Sequence, residues 1–243
     1  MLFLLFSDVH SNLEALETLV KKIKEIKPDK VICLGDIVGY GADPKICLEI
    51  TKDISDEIVA GNHDWAAVKK FNIEYFNQYA KEAILWTRER LNHQDKLFLE
   101  NLPLTNSIDN FEFVHSSLWY PERFDYIFEP LDTLNTFKMM KHNLCFIGHT
   151  HVPISFVLNE EKKIIFKCLD KEITIQNDQK YIINVGSVGQ PRDRDPRLSF
   201  CIYDSSKQIV KILRLEYNIK KAQEKILKEN LPPILAIRLG GGV

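Results

Sequence analysis

The sequence of 243 residues has no excess of charge of either sign, since 32 lysines and arginines stand against 34 aspartates and glutamates. This balance does not favour binding to nucleic acid or to a membrane surface, so nucleic acid is an unlikely partner. Apolar runs long enough to span a bilayer are also absent. The apolar start of the chain, residues 1–6, is short and has no basic segment before it. We therefore expect neither a signal peptide nor a membrane anchor.

Cysteine is sparse, with five residues and no Cys-x-x-Cys pair, which disfavours a structural zinc site. Cys33, Cys145 and Cys201 lie inside apolar runs, where free thiols behave as small buried side chains of a reducing compartment. We therefore expect a cytoplasmic protein. Internal repeats, low-complexity stretches and linkers are absent too, and the length fits one large domain, residues 1–243.

The first third of the chain alternates the patterns of strand and helix. Strands are predicted at 2–6, 31–34 and 57–60, and helices at 13–27 and 44–51. Ser11 and Glu14 have the spacing of a capping box at the start of the first helix. This βαβαβ order predicts a parallel sheet with right-handed crossovers.

The pattern then becomes helical and finally β. Helices are predicted at 75–91, 94–100, 131–141 and 219–229, strands at 111–115, 144–147, 154–158, 163–168, 181–184, 198–203 and 209–215, and hairpin turns at 159–161 and 204–206. The shift from α/β to β predicts two sheets packed face to face, with helices outside. The apolar tail, residues 231–243, gives no clear prediction.

Potential metal ligands lie in five short segments, and most of these segments follow an apolar run. The segments are SDVHSN (7–12), GDIVGYG (35–41), GNHD (61–64), VHSS (114–117) and GHTH (148–151), and their ligands are Asp8, His10, Asp36, Asn62, His115, His149 and His151. Ligand groups of α/β proteins lie beyond the carboxyl ends of strands, so these side chains are expected to converge. Single histidines are more often structural, as we expect for His93 and His142 on helical stretches.

Two of these segments carry a pair of ligands two residues apart. Asp8 and His10 would share one face of an extended backbone, and so would His149 and His151. Mixed carboxylate and imidazole donors suit Mn²⁺, Fe, Zn²⁺, Co²⁺ or Ni²⁺, and they do not suit Ca²⁺. We predict two divalent transition-metal ions, with Asp36 as the carboxylate that bridges them.

A metal pair predicts the hydrolysis of a phosphate ester. Two ions about 3.5–4 Å apart can clamp the attacking and leaving oxygens of an in-line displacement at phosphorus. The predicted nucleophile is a hydroxide that bridges the ions, because metal binding can lower the pKa of water to about 7. His63 is the candidate for protonating the leaving oxygen or stabilising its charge, and Asp64 for orienting that imidazole.

In this order the five segments resemble those of the calcineurin-like metallophosphoesterase superfamily, over about residues 2–204. The runs GDIVGYGADP and NVGSVGQPRDRDPR resemble its small prokaryotic phosphodiesterase branch. The resemblance implies a four-layer α/β/β/α sandwich with the dimetal site at the sheet edges. It also implies the two ligand sets and a catalytic role for His63: Asp8, His10, Asp36 and His151 for one metal, and Asp36, Asn62, His115 and His149 for the other.

The substrate is less clearly indicated. Arg192, Arg194 and Arg197 could hold phosphate oxygens, or they could pair in solvent with the aspartates between them. Segment 117–130 is rich in aromatic side chains that could stack on a base or pack the loop onto the core, and part of 65–101 is expected to rim the cleft. We expect a small phosphorylated substrate, such as a nucleotide. The alternatives are a protein Ser/Thr phosphatase and a non-catalytic binding scaffold of the same fold.

Overall fold

The computed structural model describes residues 1–159, 161 and 163–243. In chain order its strands are β1 (Leu2–Phe6), β2 (Lys30–Cys33), β3 (Glu57–Ile58), β4 (Thr105–Ile108), β5 (Phe111–Val114), β6 (Leu144–Ile147), β7 (Ile154–Asn159), β8 (Ile164–Cys168), β9 (Glu172–Thr174), β10 (Gln179–Asn184), β11 (Leu198–Asp204) and β12 (Ile209–Leu215). Its α-helices are α1 (Leu13–Ile26), α2 (Pro44–Ile54), α3 (Asn62–Ala67), α4 (Gln78–Arg90), α5 (His93–Glu100), α6 (Leu134–Met139), α7 (Ile219–Lys228) and α8 (Pro233–Gly241).

The first sheet has the strand order β3-β2-β1-β11-β12-β9. β1, β2 and β3 pair in parallel, as the βαβαβ pattern predicts, and the other three strands add in antiparallel fashion. β1 lies inside this sheet with both of its faces covered, which explains why its sequence is a continuous apolar run. The carboxyl ends of β1, β2 and β3 meet at one edge of the sheet, where the first three ligand segments begin.

The second sheet has the strand order β4-β5-β6-β10-β7-β8. β5, β6 and β10 pair in parallel, and the remaining pairs are antiparallel. His115 follows β5 directly, and the GHTH segment follows β6. Parallel pairing therefore brings these two ligand segments side by side at one edge of the second sheet.

The two sheets pack face to face through large apolar side chains. Phe3 of β1 lies edge-on against Phe111 of β5, with ring centroids 5.0 Å apart, and both are fully buried. Burying one such side chain contributes about 1.5–3 kcal/mol. Leu16 of α1 packs on the outside of the first sheet, and Phe137 of α6 packs on the outside of the second. The predicted architecture of two mixed sheets between flanking helices is confirmed.

Several local predictions differ from the structure. The residue that caps α1 is Asn12, whose side-chain oxygen accepts from the Ala15 N–H at 3.2 Å, so the Ser11–Glu14 capping box was wrong. β3 ends at Ile58: the Val59 N–H still donates to the Cys33 carbonyl of β2, but the Ala60 N–H donates to the Pro103 carbonyl outside the sheet. β4, β9 and α8 were not predicted, since the first two are short and half exposed and the third lies in an apolar tail. The predicted turn at 159–161 lies partly outside the described residues.

Two predicted helices begin with a tighter turn. Residues Ile73–Tyr75 form a 3-10 turn before Asn77 caps α4, and Pro130–Thr133 form another before α6. No helix among the described residues is both long and apolar enough to cross a bilayer.

Candidate metal centre

Backbone bonds hold the loops after β1 and β2 against each other. The Asp8 N–H donates to the Gly35 carbonyl and the His10 N–H to the Asp36 carbonyl, each at 3.0 Å. The backbone therefore adopts the left-handed conformation at both residues, with φ of +56° at Asp8 and +47° at His10. The expectation that an extended backbone places both side chains on one face was therefore wrong. They converge because the chain turns between them.

The GHTH segment is built in the same way. His149 and His151 have φ of +68° and +62°, and the His149 N–H donates to Asp8 Oδ2 at 3.0 Å. At Gly148, any Cβ would collide with the Ser7 hydroxyl, so glycine is required for the two strand ends to approach. Left-handed backbone at residues other than glycine costs free energy, and it persists where the surrounding structure enforces it, commonly at functional sites.

The first group of potential ligands comprises Asp8, His10, Asp36 and His151, all buried, whose donor atoms lie within 4.8 Å of one another. His10 Nε2 and His151 Nε2 are 3.1 Å apart, and His151 Nε2 is 3.3 Å from Asp8 Oδ1. His10 Nε2 lies 3.6 Å from Asp36 Oδ2. Four donor atoms thus surround one small volume.

The second group comprises Asp36, His115 and His149, and it shares Asp36 with the first. His115 Nε2 lies 3.4 Å from Asp36 Oδ2 and 3.2 Å from His149 Nδ1. Asn62, the first residue of α3, is buried, and no group among the described residues bonds to its side-chain oxygen. The Asp36 carboxylate therefore stands between two sets of nitrogen and oxygen donors.

Backbone carbonyls on the outer side fix the orientation of three imidazoles. Nδ1 faces the Val38 carbonyl at 3.2 Å in His10, the Leu34 carbonyl at 2.7 Å in His115 and the Gln190 carbonyl at 2.6 Å in His151. A carbonyl oxygen can only accept, so Nδ1 is the donor in each ring. In a neutral ring the lone pair is then on Nε2, which points into the site.

Burial and mutual charge set the protonation of the site. Burial alone would raise the pKa of Asp8 and Asp36, but the neighbouring histidines, above all His151 and His115, hold both pKa values well below the ordinary range. Burial lowers the pKa of His10 and His151, so both rings are neutral at pH 7. His115 differs: burial opposes its protonation, yet the charge of Asp36 raises its pKa to about 9.

This arrangement fits divalent cations. The neutral His10 and His151 rings direct two lone pairs at each other across 3.1 Å, a repulsive contact that a cation between them would relieve. Asp8 Oδ1 and Asn62 Oδ1 are buried with no hydrogen-bond partner among the described residues. Ionised carboxylates, neutral imidazoles and an amide oxygen are the donors that borderline transition metals take. His115, whose pKa of about 9 keeps it protonated at pH 7, would release its proton when a cation binds.

Sequence and structure comparisons agree with this geometry. The calcineurin-like phosphoesterase superfamily domain matches residues 1–208. The chain belongs to this superfamily. An uncharacterized protein of Methanocaldococcus jannaschii is 41% identical over 239 residues, which are 96% of this chain and 95% of that protein.

Solved structures of related proteins have the same fold. A metallophosphoesterase from Sphaerobacter thermophilus is 36% identical with a TM-score of 0.88, and the match covers 100% of this chain and 99% of that one. A hypothetical protein from Pyrococcus horikoshii OT3 covers the same shares at 20% identity and a TM-score of 0.78, which shows the fold alone. The chain is therefore close to bacterial and archaeal proteins, and the superfamily recognised from the five segments is confirmed.

His63 lies beside the two groups. Its ring packs against Tyr40 at 4.4 Å, Phe76 at 4.6 Å and His10 at 4.8 Å between centroids. Nδ1 has no hydrogen-bond partner among the described residues, and burial lowers the pKa of the ring to about 4. Gly39, at φ +92°, lies so close that a Cβ there would collide with Nδ1.

Asp64 has partners other than the expected one. Its carboxylate accepts from the Ile37, Val38 and Gly61 N–H groups, at 2.9, 3.3 and 3.0 Å. Among the described residues no hydrogen bond joins it to His63. Burial, with the charge of Asp36, raises the pKa of Asp64 to about 7. Asp64 thus clamps the loop of Asp36 to the start of α3, and the structure gives no support for its orienting the His63 imidazole.

The three candidate arginines separate in the structure. Arg192 lies at the site, where its guanidinium donates to the Tyr40 hydroxyl at 3.4 Å and to Gln190 Oε1 at 2.8 Å. Arg197 forms a bidentate ion pair with Asp195, from Nε to Oδ1 at 2.9 Å and from Nη2 to Oδ2 at 2.6 Å. Arg194 is exposed at φ +68°. The structure therefore brings one of the three to the metal centre, and it gives Arg197 the ion pair that the sequence left as the alternative.

A cleft of 650 Å³ opens beside the second group, and we call it the aromatic cleft. Its lining includes Asn62, His63 and His149 at the inner end and Tyr40, Phe71, Tyr75, Phe76, Phe124 and Tyr126 along the walls. Part of 65–101 rims it, as expected. In segment 117–130, Phe124 packs the loop onto the core, which is one of the two alternatives, whereas half-exposed Tyr126 stacks on His149 at 4.1 Å.

Sequence reasoning missed other side chains around the centre. Tyr40 lies inside the GDIVGYG segment, between two glycines. An aromatic residue in the same segment as the ligand Asp36 was the signal that could have indicated its place at the site. Arg238 of α8 is half buried, and burial together with the charge of Arg192 lowers its pKa. Gly242 accepts from the Arg194 N–H at 2.8 Å, which ties the end of α8 to the segment of Arg192. No pattern in the tail indicated this placement.

Proposed function

We propose that the protein is a phosphoesterase that depends on two divalent transition-metal ions and hydrolyses small phosphate esters. Asp8, His10, Asp36 and His151 would hold one ion, and Asp36, Asn62, His115 and His149 the other. The observation that carries this proposal is the position of Asp36 Oδ2, which lies 3.6 Å from His10 Nε2 and 3.4 Å from His115 Nε2. One carboxylate can thus serve both ions.

When bound, the ions polarise the phosphate and make water acidic enough to supply a nucleophile near pH 7. The protein positions the metal-ligand atoms before the ions bind. Asp36 Oδ1 accepts from the His63 N–H at 2.8 Å, which leaves Oδ2 directed at the two groups. Because the donors lie on loops tied by backbone bonds, little reorganisation is needed when the ions bind.

His63 is proposed to protonate the leaving oxygen or to stabilise the charge that builds on it. It lines the aromatic cleft next to Asn62 and is not part of either donor group. A group that transfers a proton must come within hydrogen-bond reach of the leaving oxygen. With a pKa of about 4 the ring is neutral at pH 7, so it would stabilise the leaving oxygen through its N–H, and full protonation would require the charge of the substrate to raise that pKa. Asp64 contributes by holding the loops that place Asp36 and His63.

Arg192 is proposed to hold phosphate oxygens, together with Arg238. Arg192 bonds only neutral acceptors among the described residues, Gln190 and Tyr40. The Arg238 guanidinium donates to the Val243 main-chain oxygen at 2.6 Å. The Arg192 guanidinium, with no Asp or Glu partner among the described residues, keeps donors for a phosphate. We also propose that residues 1–243 form one domain in a reducing cytoplasm, which the free cysteines support.

The test is hydrolysis by the purified protein across a panel of Mn²⁺, Fe²⁺, Co²⁺, Ni²⁺ and Zn²⁺, after chelation and reloading. We expect two ions per chain and turnover of bis-p-nitrophenyl phosphate, a diester, or of p-nitrophenyl phosphate, a monoester. Two bound ions without turnover of either ester would favour the non-catalytic scaffold. No bound metal would end the proposal.

A further inference from the structure

Each wall of the aromatic cleft begins at an imidazole of the metal centre. On one wall Phe76 stacks on His63, with centroids 4.6 Å apart and planes 28° apart. On the other wall Tyr126 stacks on His149, at 4.1 Å and 19°. Phe124, buried to 4% exposure, closes the floor between them by packing on Phe71 at 5.3 Å. A planar ring that leaves the centre therefore enters between aromatic faces.

The outer part of the cleft exposes aromatic side chains. Tyr75 is 79% exposed and Tyr126 51% exposed, although both line the cleft. Tyr126 stacks on Phe128, at 5.4 Å and 14°, as well as on His149, whereas Tyr75 meets only the tilted Phe71 ring, at 5.8 Å, among the aromatic rings of the described residues. The Tyr75 ring is therefore the more open of the two. Aromatic rings held open beside a binding site are suited to stacking on a ligand.

Charged groups of the cleft cancel one another. Lys70 and Arg123 line it together with Glu122 and Asp125, and Arg123 pairs with Asp125 at 3.1 Å. Lys70 lies over the Trp65 ring and donates to a backbone carbonyl. The cleft thus offers no excess of positive charge for a second phosphate group, and it suits an uncharged planar group.

Two asparagines offer polar contacts for the rim of such a group. Asn72 and Asn77 line the cleft and use their side-chain oxygens to cap the turns at Glu74 and Ala80. In the described part of the chain no hydrogen bond occupies their amide N–H groups. Stacking faces together with amide donors are the features with which proteins bind nucleobases.

We propose that the aromatic cleft binds the base of a nucleoside whose phosphate is the one that reacts at the metal centre. The inference rests on the proposed function, since it takes the metal centre as the place of the phosphate. A volume of 650 Å³ lies within the range of about 300–1,000 Å³ for small-molecule sites. Tyr126 and Tyr75 then determine specificity without contacting the reacting atoms.

The experiment compares adenosine 5′-monophosphate with ribose 5-phosphate, which has the same sugar and phosphate and lacks the base. Binding is measured by calorimetry on the protein as purified and after chelation, since Tyr75, Phe76 and Tyr126 are not among the proposed metal ligands and the chelated form is not expected to hydrolyse the probe. We expect the nucleotide to bind about tenfold tighter or more in both forms. Equal affinity for the two probes would overturn the proposal.

Paired variants locate the effect. Tyr75→Leu and Tyr126→Leu are expected to remove most of the difference between the two probes. Tyr79→Leu and Tyr120→Leu are matched controls, because these tyrosines are 48% and 51% exposed, lie on the same segments and do not line the cleft. A difference that persists in both cleft variants, or falls equally in the controls, would also overturn the proposal.

The outcomes separate this inference from the function on which it rests. Turnover of simple phosphate esters with equal binding of the two probes would leave the phosphoesterase intact and refute the nucleoside site. Tight, base-dependent binding without turnover of any ester would support the cleft and refute the catalytic proposal.

Discussion

The two sides of the metal centre differ in how much room they leave. On the side of His10, the surrounding side chains, among them Asn12 and Leu239, pack closely. The cavity there measures 10 Å³, about the space of one water. On the side of Asn62 and His149, the aromatic cleft measures 650 Å³. In the proposed function, the substrate would therefore reach the centre from the side of the second group of ligands. The closed side would position the donor atoms, and the open side would select what they act on.

The largest effect is expected from Asp36, which both sides share. In Asp36→Asn the side-chain oxygen can still accept from the His63 N–H, so the fold should survive, whereas the negative charge between the two groups is lost. Lewis-acid stabilisation contributes several kcal/mol, so turnover of bis-p-nitrophenyl phosphate should fall by about 10³-fold or more, with fewer than two ions per chain. Metal analysis and steady-state kinetics measure this.

The control for Asp36 is Asp125→Asn, which removes an exposed carboxylate from the open side. It should keep both ions and most of the turnover. Two ions and full turnover in Asp36→Asn would show that no shared carboxylate is needed.

His63 lies where the two sides meet, and His63→Ala separates chemistry from metal binding. We expect a loss of about 10²–10⁴-fold in kcat, the usual contribution of a proton-transferring group, with metal content unchanged. His93→Ala, on the exposed start of α5, is the matched control and should have no effect. If His63→Ala loses a metal ion, its role is that of a ligand and the assignment fails.

The metal ligands on both sides were largely predictable from sequence, whereas the backbone turns and the tertiary contacts around them were not. Asp8, Asp36 and His115 follow apolar runs that read as buried strands, and parallel pairing of such strands brings their ends together. The left-handed turns at Asp8 and His10 were not visible, because they come from hydrogen bonds to a loop distant in sequence. The position of Arg238 likewise depends on how α8 packs, and no local pattern encodes it.

The three candidate arginines show the same limit of prediction from sequence. They lie within six residues of one another and read alike, yet Arg192 contacts Tyr40 whereas Arg197 pairs with Asp195. Which of them faces the centre is decided by how the loop after Gln190 turns. A sequence pattern specifies residue types, and tertiary contacts decide which members of a cluster remain free.

Arg192→Ala should therefore weaken substrate binding on the open side much more than Arg197→Ala. A hydrogen bond to a charged group contributes about 1.5–3 kcal/mol, so we expect KM for a phosphodiester to rise roughly 10- to 100-fold in Arg192→Ala. Arg197→Ala should leave KM within about twofold, because its donors already serve Asp195. Equal effects of the two substitutions in steady-state kinetics would contradict the assignment.

The smallest effect on catalysis is expected from a substitution on the closed side. The Lys225 ammonium of α7 lies 2.7 Å from Glu14 Oε1 and 2.8 Å from Asp43 Oδ2, and it ties α7 to α1 and to the loop after Tyr40. Lys225→Met leaves Glu14, whose side chain is 3% exposed, with Lys221 as its cation at 3.2 Å. The free energy of unfolding should fall by about 2 kcal/mol at pH 7, less than for a fully buried pair, with kcat unchanged.

The pH dependence of the free energy of unfolding identifies why Lys225→Met is less stable than the wild type. Burial alone would raise the pKa of Glu14, but Lys225 and Lys221 bring it below its ordinary value of 4.5. The stabilisation from its charge is therefore complete above pH 4.5 and is lost as the pH falls through the lowered pKa of the folded state. In urea unfolding the difference between wild type and Lys225→Met should shrink below pH 4.5, whereas Lys228→Met, on the exposed side of α7, should show no difference at any pH. A deficit in Lys225→Met that stays constant from pH 7 to pH 3 would show that the lysine stabilises α7 through the packing of its methylene chain rather than through its charge.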